Sequence, residues 1–178
     1  MKQVGFEETE NFWKRPERVV LVTVREEDGP GNIITLGWKM RTSFAPPMLA
    51  VSVGKNRYTH RLIEKEKEFV LAFPGESLAE AVLFCGTHSG QEVNKFKEAG
   101  LTALPASVVR APLIEECVAN FECRVIGKLG TGDHTIFAGE VLASWLNDNP
   151  EKILLAVDDS SSYLQLASGS RHILGVIK

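Results

Sequence analysis

The sequence offers little that would suit a secreted or membrane-bound protein. It contains only three cysteines, Cys85, Cys117 and Cys123, which cannot all pair with one another. The first eight residues lack the basic and then apolar profile of a signal peptide. No apolar run approaches the roughly 20 residues that a membrane-spanning helix needs. We therefore expect a cytoplasmic protein with reduced thiols and no membrane association.

Metal-binding clusters and an excess of positive charge are also missing. The cysteines have no Cys or His neighbours at zinc-finger spacing, so we expect no metal site. The 20 Lys and Arg residues are balanced by 23 Asp and Glu, which gives a formal net charge of −3 and a pI near 5.9. Nucleic-acid-binding domains are usually strongly basic, so we expect no nucleic-acid partner. Apolar residues form 44% of the 178-residue chain, enough for a core, and we expect residues 1–178 to form one domain.

Short runs of β-branched and apolar residues dominate the pattern and predict strands. Gly-rich turns separate the first two runs and the two longest runs, which predicts two hairpins. Helical patterns interrupt the strands, with Asn56 and Ser77 as expected N-caps. The predicted strands span 18–25, 32–38, 48–53, 68–73, 118–129, 135–146, 153–157 and 173–177, and the predicted helices start near Tyr58, Ser77 and Asn94.

The order of these elements favours an antiparallel fold. Because the strands do not alternate regularly with helices, a doubly wound parallel sheet is disfavoured. We expect a mainly β fold with flanking helices, in the form of a closed or nearly closed antiparallel barrel. The run 19–24 is apolar at successive positions, which indicates a strand covered on both faces, by the barrel interior and by a helix or a partner subunit.

A polar segment at 86–95 combines small residues with hydrogen-bond donors between two predicted helices. Gly86, Ser89 and Gly90 would let backbone amides approach an anion, and Lys95 adds a positive charge. These features fit a phosphate-binding loop. They fit equally well an ordinary polar connection with a solvated lysine, which is the commoner case for so short a pattern.

A second candidate anion site lies at 55–60, between a strand end and a helix start. Arg57 and the Thr59 hydroxyl suit a phosphate group, and Tyr58 offers an aromatic face. Taken alone, the segment is more simply a helix N-terminus with a cap. If the fold brings it beside 86–95, both segments can serve one phosphate.

Three further features have both a functional and a structural interpretation. The segment 37–43 could expose polar backbone groups to a planar ligand, whereas Trp38 could be a core aromatic. His134, at the second hairpin turn, could bind substrate or accept a proton, or it could only pair with Asp133. Cys85 falls on an apolar helix face, which is typical of a buried small side chain.

The order and spacing of these motifs resemble those of the flavin reductase-like family of FMN-binding split barrels, which includes flavoredoxins and an archaeal type of ferric reductase. The matching stretch runs from about Pro16 to Glu140, and the region 160–163 lacks a clear counterpart. The motifs are Trp38 with 42–47, 56–60, Cys85-Gly86, Ser89-Gly90, Lys95-Phe96, Glu122-Cys123-Arg124 and 132–137. The resemblance implies a Greek-key split β-barrel that binds FMN.

The resemblance also implies roles for individual residues. Arg57, Thr59, Ser89 and Lys95 would hold the FMN phosphate. His134, the one catalytic position implied, would face the flavin where a nicotinamide docks. The remaining cofactor-binding positions line the isoalloxazine ring, the ribityl chain or the phosphate, and they are Trp38, Lys39, Met40, Thr42, Ser43, Asn56, Tyr58, Cys85, Gly86 and Gly90.

The implied function is that of an oxidoreductase. Hydride would pass from NADH or NADPH to bound FMN, and electrons would leave to a free flavin, a ferric chelate or another acceptor. No Gly-x-Gly-x-x-Gly follows a predicted strand, so a nicotinamide would have to stack on the flavin in an open groove. The alternatives are a flavoredoxin-like electron carrier that serves a protein partner without its own NAD(P)H site, and a module that binds FMN or haem without turnover.

A homodimer is also implied, with FMN at its interface. A split barrel leaves apolar strand faces and an edge that need cover. The apolar runs 19–24 and 173–176 are the candidate dimer surfaces.

Overall fold

Strands dominate the part of the chain that the structure, a computed structural model, describes, namely residues 1–169 and 172–178. The helices are α1 (Phe6–Trp13), α2 (Tyr58–Glu66), α3 (Ala79–Thr87) and α4 (Lys95–Glu98). The strands are β1 (Glu17–Arg18), β2 (Val20–Val24), β3 (Asn32–Leu36), β4 (Lys39–Ser43), β5 (Met48–Gly54), β6 (Glu68–Phe73), β7 (Ala103–Leu104), β8 (Leu113–Ile114), β9 (Ala119–Thr131), β10 (His134–Leu146), β11 (Leu155–Val157), β12 (Tyr163–Ser168) and β13 (Ile173–Ile177). Within the described ranges, no helix combines the length and the apolar character that crossing a membrane requires.

The main sheet curls around an apolar core. Its seven antiparallel strands follow the order β3-β2-β6-β9-β10-β5-β4. Ile34 on β3 and Val51 on β5 pack in one buried cluster with Phe69 and Phe137, although four strands separate β3 from β5 in the sheet. The sheet therefore curves back on itself, and Ile63 of α2 packs into the same core. The predicted mainly β, antiparallel barrel with flanking helices is confirmed.

A second layer covers the outer face of the barrel at β2. Leu21 packs there with Val82 and Cys85 of α3 and with Leu174 of β13. The sheet β1-β11-β13-β12 forms the rest of this layer. Strand β2 is consequently buried at every position, as the apolar residues on both of its faces predict.

This second layer corrects the predicted dimer surfaces. Residues 19–24 and 174–176 are buried within the chain itself, either in the barrel core or against the second layer, and Ile173 is half-buried. They are therefore not available to cover a partner subunit. The apolar pattern indicated burial correctly, but not which part of the protein provides the cover.

The long hairpin of β9 and β10 positions the predicted catalytic histidine. It turns at Gly132, whose φ of +51° lies in the left-handed region that glycine adopts at low cost. The strand register places His134 opposite Gly54, the last residue of β5. Because α2 follows β5 after three residues, His134 and the start of α2 lie at the same edge of the barrel.

The two expected N-caps, Asn56 and Ser77, are both wrong. Asn94, predicted only as a helix start, caps α4 by accepting a hydrogen bond from the Lys97 N–H at 3.1 Å. The N-cap of α2 is Arg57 rather than Asn56, and no side chain caps it. Ser77 lies in a 3₁₀ turn before α3, where its N–H donates to the Glu151 carboxylate at 3.0 Å. A contact with the C-terminal half of the chain, rather than a local capping box, thus fixes the start of α3.

Strand β4 occupies the segment that the sequence predicts to be irregular. It pairs with β5, with a register shift between Arg41 and Ser43. Three of its five side chains, those of Met40, Arg41 and Thr42, are exposed, because β4 is the edge of the main sheet. Sheet pairing therefore overrides the weak local strand signal of this polar segment.

A buried carboxylate fastens a neighbouring loop to the barrel. Glu122 on β9 is fully buried. It accepts hydrogen bonds from the backbone N–H groups of Ser107, Val108 and Val109, from the Ser107 hydroxyl and from the Trp145 indole, at 2.6–3.0 Å. Burial alone would raise the pKa of Glu122, but these donors lower it to about 2. The charged form of Glu122 therefore contributes to stability.

Candidate functional site

A cleft runs between β3, the start of α2 and the loop that follows α3. It consists of two cavities of about 330 and 220 Å³, which share Ile34, Arg57 and Gly86 in their walls. We call the larger cavity the α2 compartment, because the first turn of α2 lines it. The smaller one, lined by Trp38 and His134, is the Trp38 compartment.

Most of the predicted site residues meet in this cleft. The two candidate anion segments, 55–60 and 86–95, both contribute to the α2 compartment, so the fold does bring them together. The predicted residues in its wall are Asn56, Arg57, Tyr58, Thr59, Cys85, Gly86, Ser89, Gly90 and Lys95. Trp38 and His134 line the other compartment.

Arg57 lies where the compartments join and supplies an available positive charge. Its side chain is exposed, and no ion pair in residues 1–169 or 172–178 uses its guanidinium. Thr59, by contrast, is almost fully buried in the first turn of α2. An exposed guanidinium and a buried hydroxyl on one helix start are suited to bind an anion from its solvent side and its protein side.

Lys95 is buried, contrary to the alternative of a solvated lysine. Its ammonium group donates to the carbonyl oxygens of Ile33 at 2.7 Å and Cys85 at 2.8 Å. Burial lowers the pKa of Lys95, and the nearby Arg57 charge acts in the same direction. Lys95 therefore ties β3 to the end of α3, and only one of its three N–H donors is left for a ligand.

Asn32, the first residue of β3, is a cleft residue that the sequence analysis missed. It is 2% exposed, and its Nδ2 donates to the Thr59 hydroxyl at 2.7 Å. Its Oδ1 has no hydrogen-bond partner. A buried acceptor without a partner costs about 1–3 kcal/mol, so such an atom marks a place where a ligand or a rearrangement is expected. The only sequence signal was a polar residue at the start of an apolar strand.

Two glycines make room at the floor of the cleft. A Cβ on Gly90 would lie 1.9 Å from the Asn32 Oδ1, and a Cβ on Gly86 would lie 3.3 Å from the Thr35 Cβ. Ser89 accepts a hydrogen bond from the Gln91 N–H at 3.3 Å, which leaves its own O–H able to donate. The glycines of 86–90 thus let this loop approach Asn32 and Thr35 of β3 closely.

Cys85 is buried beside the cleft. Burial raises the pKa of its thiol to about 11, and the Lys95 charge opposes this shift only in part. A neutral thiol is a poor nucleophile. Cys85 is therefore suited to pack against a ligand rather than to react with it.

The Trp38 compartment brings an indole and an imidazole together. The ring centroids of Trp38 and His134 lie 4.7 Å apart. The His134 Nδ1 lies 2.6 Å from the Asp133 carboxylate, which favours the tautomer with the proton on Nδ1 and leaves Nε2 as an acceptor. This hydrogen bond lowers the pKa of the exposed Asp133. Trp38 is 48% exposed, so it is not the core aromatic that the alternative interpretation proposed.

The other predicted residues of β4 lie outside the cleft. Lys39 and Met40 line a separate small cavity beside Ala50 and Ile136. The Lys39 ammonium donates to the Arg18 carbonyl. Thr42 and Ser43 follow farther along the edge strand, in the wall of neither compartment.

Glu17 is a second cleft residue that the sequence analysis missed. It lines the Trp38 compartment, and its carboxylate packs so closely on Gly37 that a Cβ there would lie 2.4 Å from Oε1. Burial raises the pKa of Glu17, and the positive charge of Lys39 opposes the shift. No motif includes Glu17, because β1 reaches the cleft only through pairing with β11 in the second sheet.

The chemistry of the cleft suits an organic anion with a planar part. One end presents hydrogen-bond donors and positive charge, and the other end presents aromatic rings with an imidazole acceptor. In the described ranges, no group of three or more His, Cys, Asp or Glu side chains is arranged to hold a metal ion. The α2 compartment has one carboxyl group in its wall, that of Glu92, and its donors are nitrogen and hydroxyl groups, which suit a phosphate.

Sequence comparisons identify related proteins across this region. The sequence profile of the flavin reductase-like domain matches residues 14–165, which include every predicted site residue. A protein from Archaeoglobus fulgidus is 45% identical over 62% of this chain, and the match spans 63% of that relative, less than two thirds of its length. An NADH-dependent FAD reductase from Streptomyces globisporus is 29% identical over 75% of this chain and 71% of its own length.

A solved structure shares the whole fold. The flavoredoxin from Methanosarcina acetivorans superposes with a TM-score of 0.77 at 27% identity, and the alignment covers 96% of this chain and 94% of the flavoredoxin. The barrel, the second layer and the cleft-forming elements therefore all lie within the shared architecture.

Proposed function

The chain belongs to the flavin reductase-like family, and from that premise we propose that it is an FMN-binding oxidoreductase in which NADH or NADPH reduces the bound FMN. Electrons then leave to a free flavin, a ferric chelate or another small acceptor. The observation that carries the proposal is the continuous cleft. It has hydrogen-bond donors suited to a phosphate at the α2 end and the Trp38–His134 pair at the other end.

The α2 compartment fits the FMN phosphate. Arg57 contributes a free guanidinium, Ser89 a free hydroxyl proton and Lys95 one remaining N–H. The unpartnered Asn32 Oδ1 marks a further polar position in its wall. A phosphate dianion would be compensated by two positive charges, those of Arg57 and Lys95.

FMN is favoured over FAD because the cleft has a single anion compartment. A dinucleotide would need a second phosphate position and a place for adenine. Beyond the shared Arg57, the Trp38 compartment combines the Trp38 and His134 rings with Lys14 and Glu17, whose opposite charges offset each other. The Streptomyces globisporus relative acts on FAD by its name. In this proposal, FMN is the resident cofactor. Free FAD or FMN either accepts electrons from it or exchanges with it.

The Trp38 compartment would receive the ring and the nicotinamide. When bound, FMN can accept a hydride and release electrons one at a time, and the protein orients the flavin ring. His134, held by Asp133 at 2.6 Å, would position the nicotinamide amide through its Nε2 rather than deliver an obligatory proton. Transfer between stacked rings depends on their alignment, so a fixed imidazole acts through geometry.

The second candidate function is that of an electron carrier that serves a protein partner. The structural likeness to a flavoredoxin favours it. In that case His134 and Trp38 would shield the flavin or contact the partner protein, and no pyridine nucleotide would reduce it. Anaerobic mixing with NADH or NADPH separates the two functions.

A homodimer belongs to the proposal, with a surface different from the one that the sequence suggested. Strand β4 ends the main sheet, and its Met40 and the nearby Trp38 and Phe44 are 51%, 48% and 81% exposed. An unpaired strand edge with large apolar side chains needs cover. Contact between two such edges would also bring the predicted ring-lining residues of β4 to the cleft of a neighbouring copy.

The test is a binding comparison on flavin-free protein. FMN, riboflavin and FAD are titrated separately, and quenching of flavin fluorescence is followed. FMN should bind at least tenfold more tightly than riboflavin, because a charge-assisted phosphate contact contributes about 1.5–3 kcal/mol. Equal affinities for FMN and riboflavin would contradict a phosphate site in the α2 compartment.

A further inference from the structure

Glu17 supplies the one carboxylate in the wall of the Trp38 compartment, within the described ranges of the chain. The pairing of β1 with β11 brings it to the cleft. Both of its oxygens pack against Gly37, where a Cβ would lie 2.4 Å from Oε1 and 2.8 Å from Oε2. The next residue, Trp38, pairs its ring with that of His134 in the same wall. A negative charge therefore lies at the ring end of the cleft.

The Glu17 carboxylate is not used by the protein itself. In residues 1–169 and 172–178, no hydrogen bond or ion pair engages it. Lys14 and Lys39 act on it only from a distance, because the first lies 3.3 Å from the Glu10 carboxylate and the second donates to the Arg18 carbonyl. These lysine charges oppose the rise in pKa that burial causes, which favours the ionised form of Glu17. Its acceptor atoms are therefore left to a ligand.

The two compartments differ in charge. Lys95 lies in the wall of the α2 compartment, Arg57 lies at the junction, and Glu17 lies in the wall of the Trp38 compartment. A cationic ring in the Trp38 compartment would complement the carboxylate. The ring of a dihydronicotinamide is neutral, and it becomes such a cation when its C4 carbon gives up a hydride, one proton with two electrons, to the flavin.

We propose that Glu17 recognises the positive charge of the oxidised nicotinamide ring and stabilises that charge as it develops during hydride transfer. The proposal rests on the proposed function, since that function brings NADH or NADPH to the Trp38 compartment. An interaction that grows as the charge develops lowers the barrier, whereas His134 acts through position alone. Because Glu17 is half-buried, its charge is screened less than that of a surface carboxylate.

The test uses oxidised, FMN-loaded protein and two nucleotides that do not reduce it. NAD⁺ has the cationic ring, and tetrahydro-NADH has a neutral ring that cannot give up a hydride. The change in flavin absorbance reports the binding of each. Glu17→Gln keeps the shape of the side chain and removes its charge, so NAD⁺ should bind about five- to tenfold more weakly. The affinity for tetrahydro-NADH should stay within about twofold. If NADPH is the donor, the corresponding NADP forms are used.

Two further variants separate the local charge from other effects. Glu17→Asp keeps the carboxylate at this position. Glu80→Gln makes the same change in net charge at an exposed position of α3, outside the walls of both compartments. Neither variant should change the ratio of the two affinities by more than about threefold, because solvent screens the exposed charge and the aspartate retains the local one.

Three outcomes would overturn the proposal. If the ratio of the two affinities is unchanged in Glu17→Gln, the carboxylate does not recognise the cationic ring. If NAD⁺ and tetrahydro-NADH weaken equally, Glu17 only shapes the compartment through its contact with Gly37. A failure of the proposed function is distinct, because the FMN-loaded parent would then bind neither nucleotide, and the role of Glu17 would fall with it.

Discussion

Replacing Lys95 with methionine separates its packing role from its proposed contact with phosphate. Methionine keeps most of the apolar stem but removes the ammonium group that donates to the Ile33 and Cys85 carbonyls. Each carbonyl left unpaired costs about 1–3 kcal/mol, and the relief of no longer burying a charge offsets part of this. We expect the free energy of unfolding to fall by about 2–4 kcal/mol.

Ligand binding gives the second readout for the same variant. One N–H of Lys95 remains for the phosphate, and a charge-assisted contact contributes about 1.5–3 kcal/mol, or roughly a ten- to hundredfold change in Kd. FMN should therefore bind ten- to hundredfold more weakly to Lys95→Met, with riboflavin almost unaffected. Urea denaturation of the flavin-free protein gives the stability, and fluorescence titration gives both affinities.

The control for Lys95→Met is Lys97→Met, two residues along α4. Lys97 is exposed and lies outside both compartments. The change in net charge is identical, so neither stability nor FMN affinity should change appreciably. Equal weakening of FMN and riboflavin in Lys95→Met would refute the phosphate contact and leave Lys95 as a structural link. An unchanged unfolding free energy would refute the role of the two carbonyl hydrogen bonds.

Three further predictions concern catalysis, pH and assembly. His134→Ala should slow the reduction of bound FMN by NAD(P)H at least tenfold in stopped-flow measurements, and it should leave FMN affinity within about twofold. A lower melting temperature with an unchanged reduction rate would mean that His134 and Asp133 only brace the hairpin. The depressed pKa of Glu122, about 2 against a usual 4.5, contributes about 3 kcal/mol of stability above pH 4.5 that is lost as the pH falls toward 2. Glu122→Gln should remove that contribution and flatten this part of the stability profile in urea melts, and a profile identical to the parent's would contradict the assignment. Sedimentation should give a particle of twice 19.6 kDa, and a 19.6 kDa species with FMN bound would exclude the dimer.

The sequence predicted the barrel because burial leaves a direct pattern in strands. Strand β6 at Glu68–Phe73 and strand β13 at Ile173–Ile177 lie where the apolar runs indicate. The β9–β10 hairpin follows from its Gly-rich turn. Strand β4 could not be predicted in this way, because its polar residues become a strand only through pairing with β5.

The cleft could be predicted only in the parts that have local motifs. The segments 55–60 and 86–95 carry helix-start and small-residue signals, and both line the α2 compartment. Asn32 and Glu17 carry no such signal, because they reach the cleft through the curvature of the main sheet and the pairing of the second sheet. The buried state of Lys95 was also unpredictable, since its two acceptors are backbone carbonyls of distant residues.

The most direct test of the proposed function is an anaerobic titration of the FMN-loaded protein with NADH and, separately, with NADPH. Absorbance of the oxidised flavin is followed as each nucleotide is added. We expect one of the two nucleotides to bleach the flavin band completely at about one equivalent, because a two-electron donor reduces one flavin. A flavin band that persists with an excess of both nucleotides, but is bleached by dithionite, would contradict the reductase function and support the electron carrier.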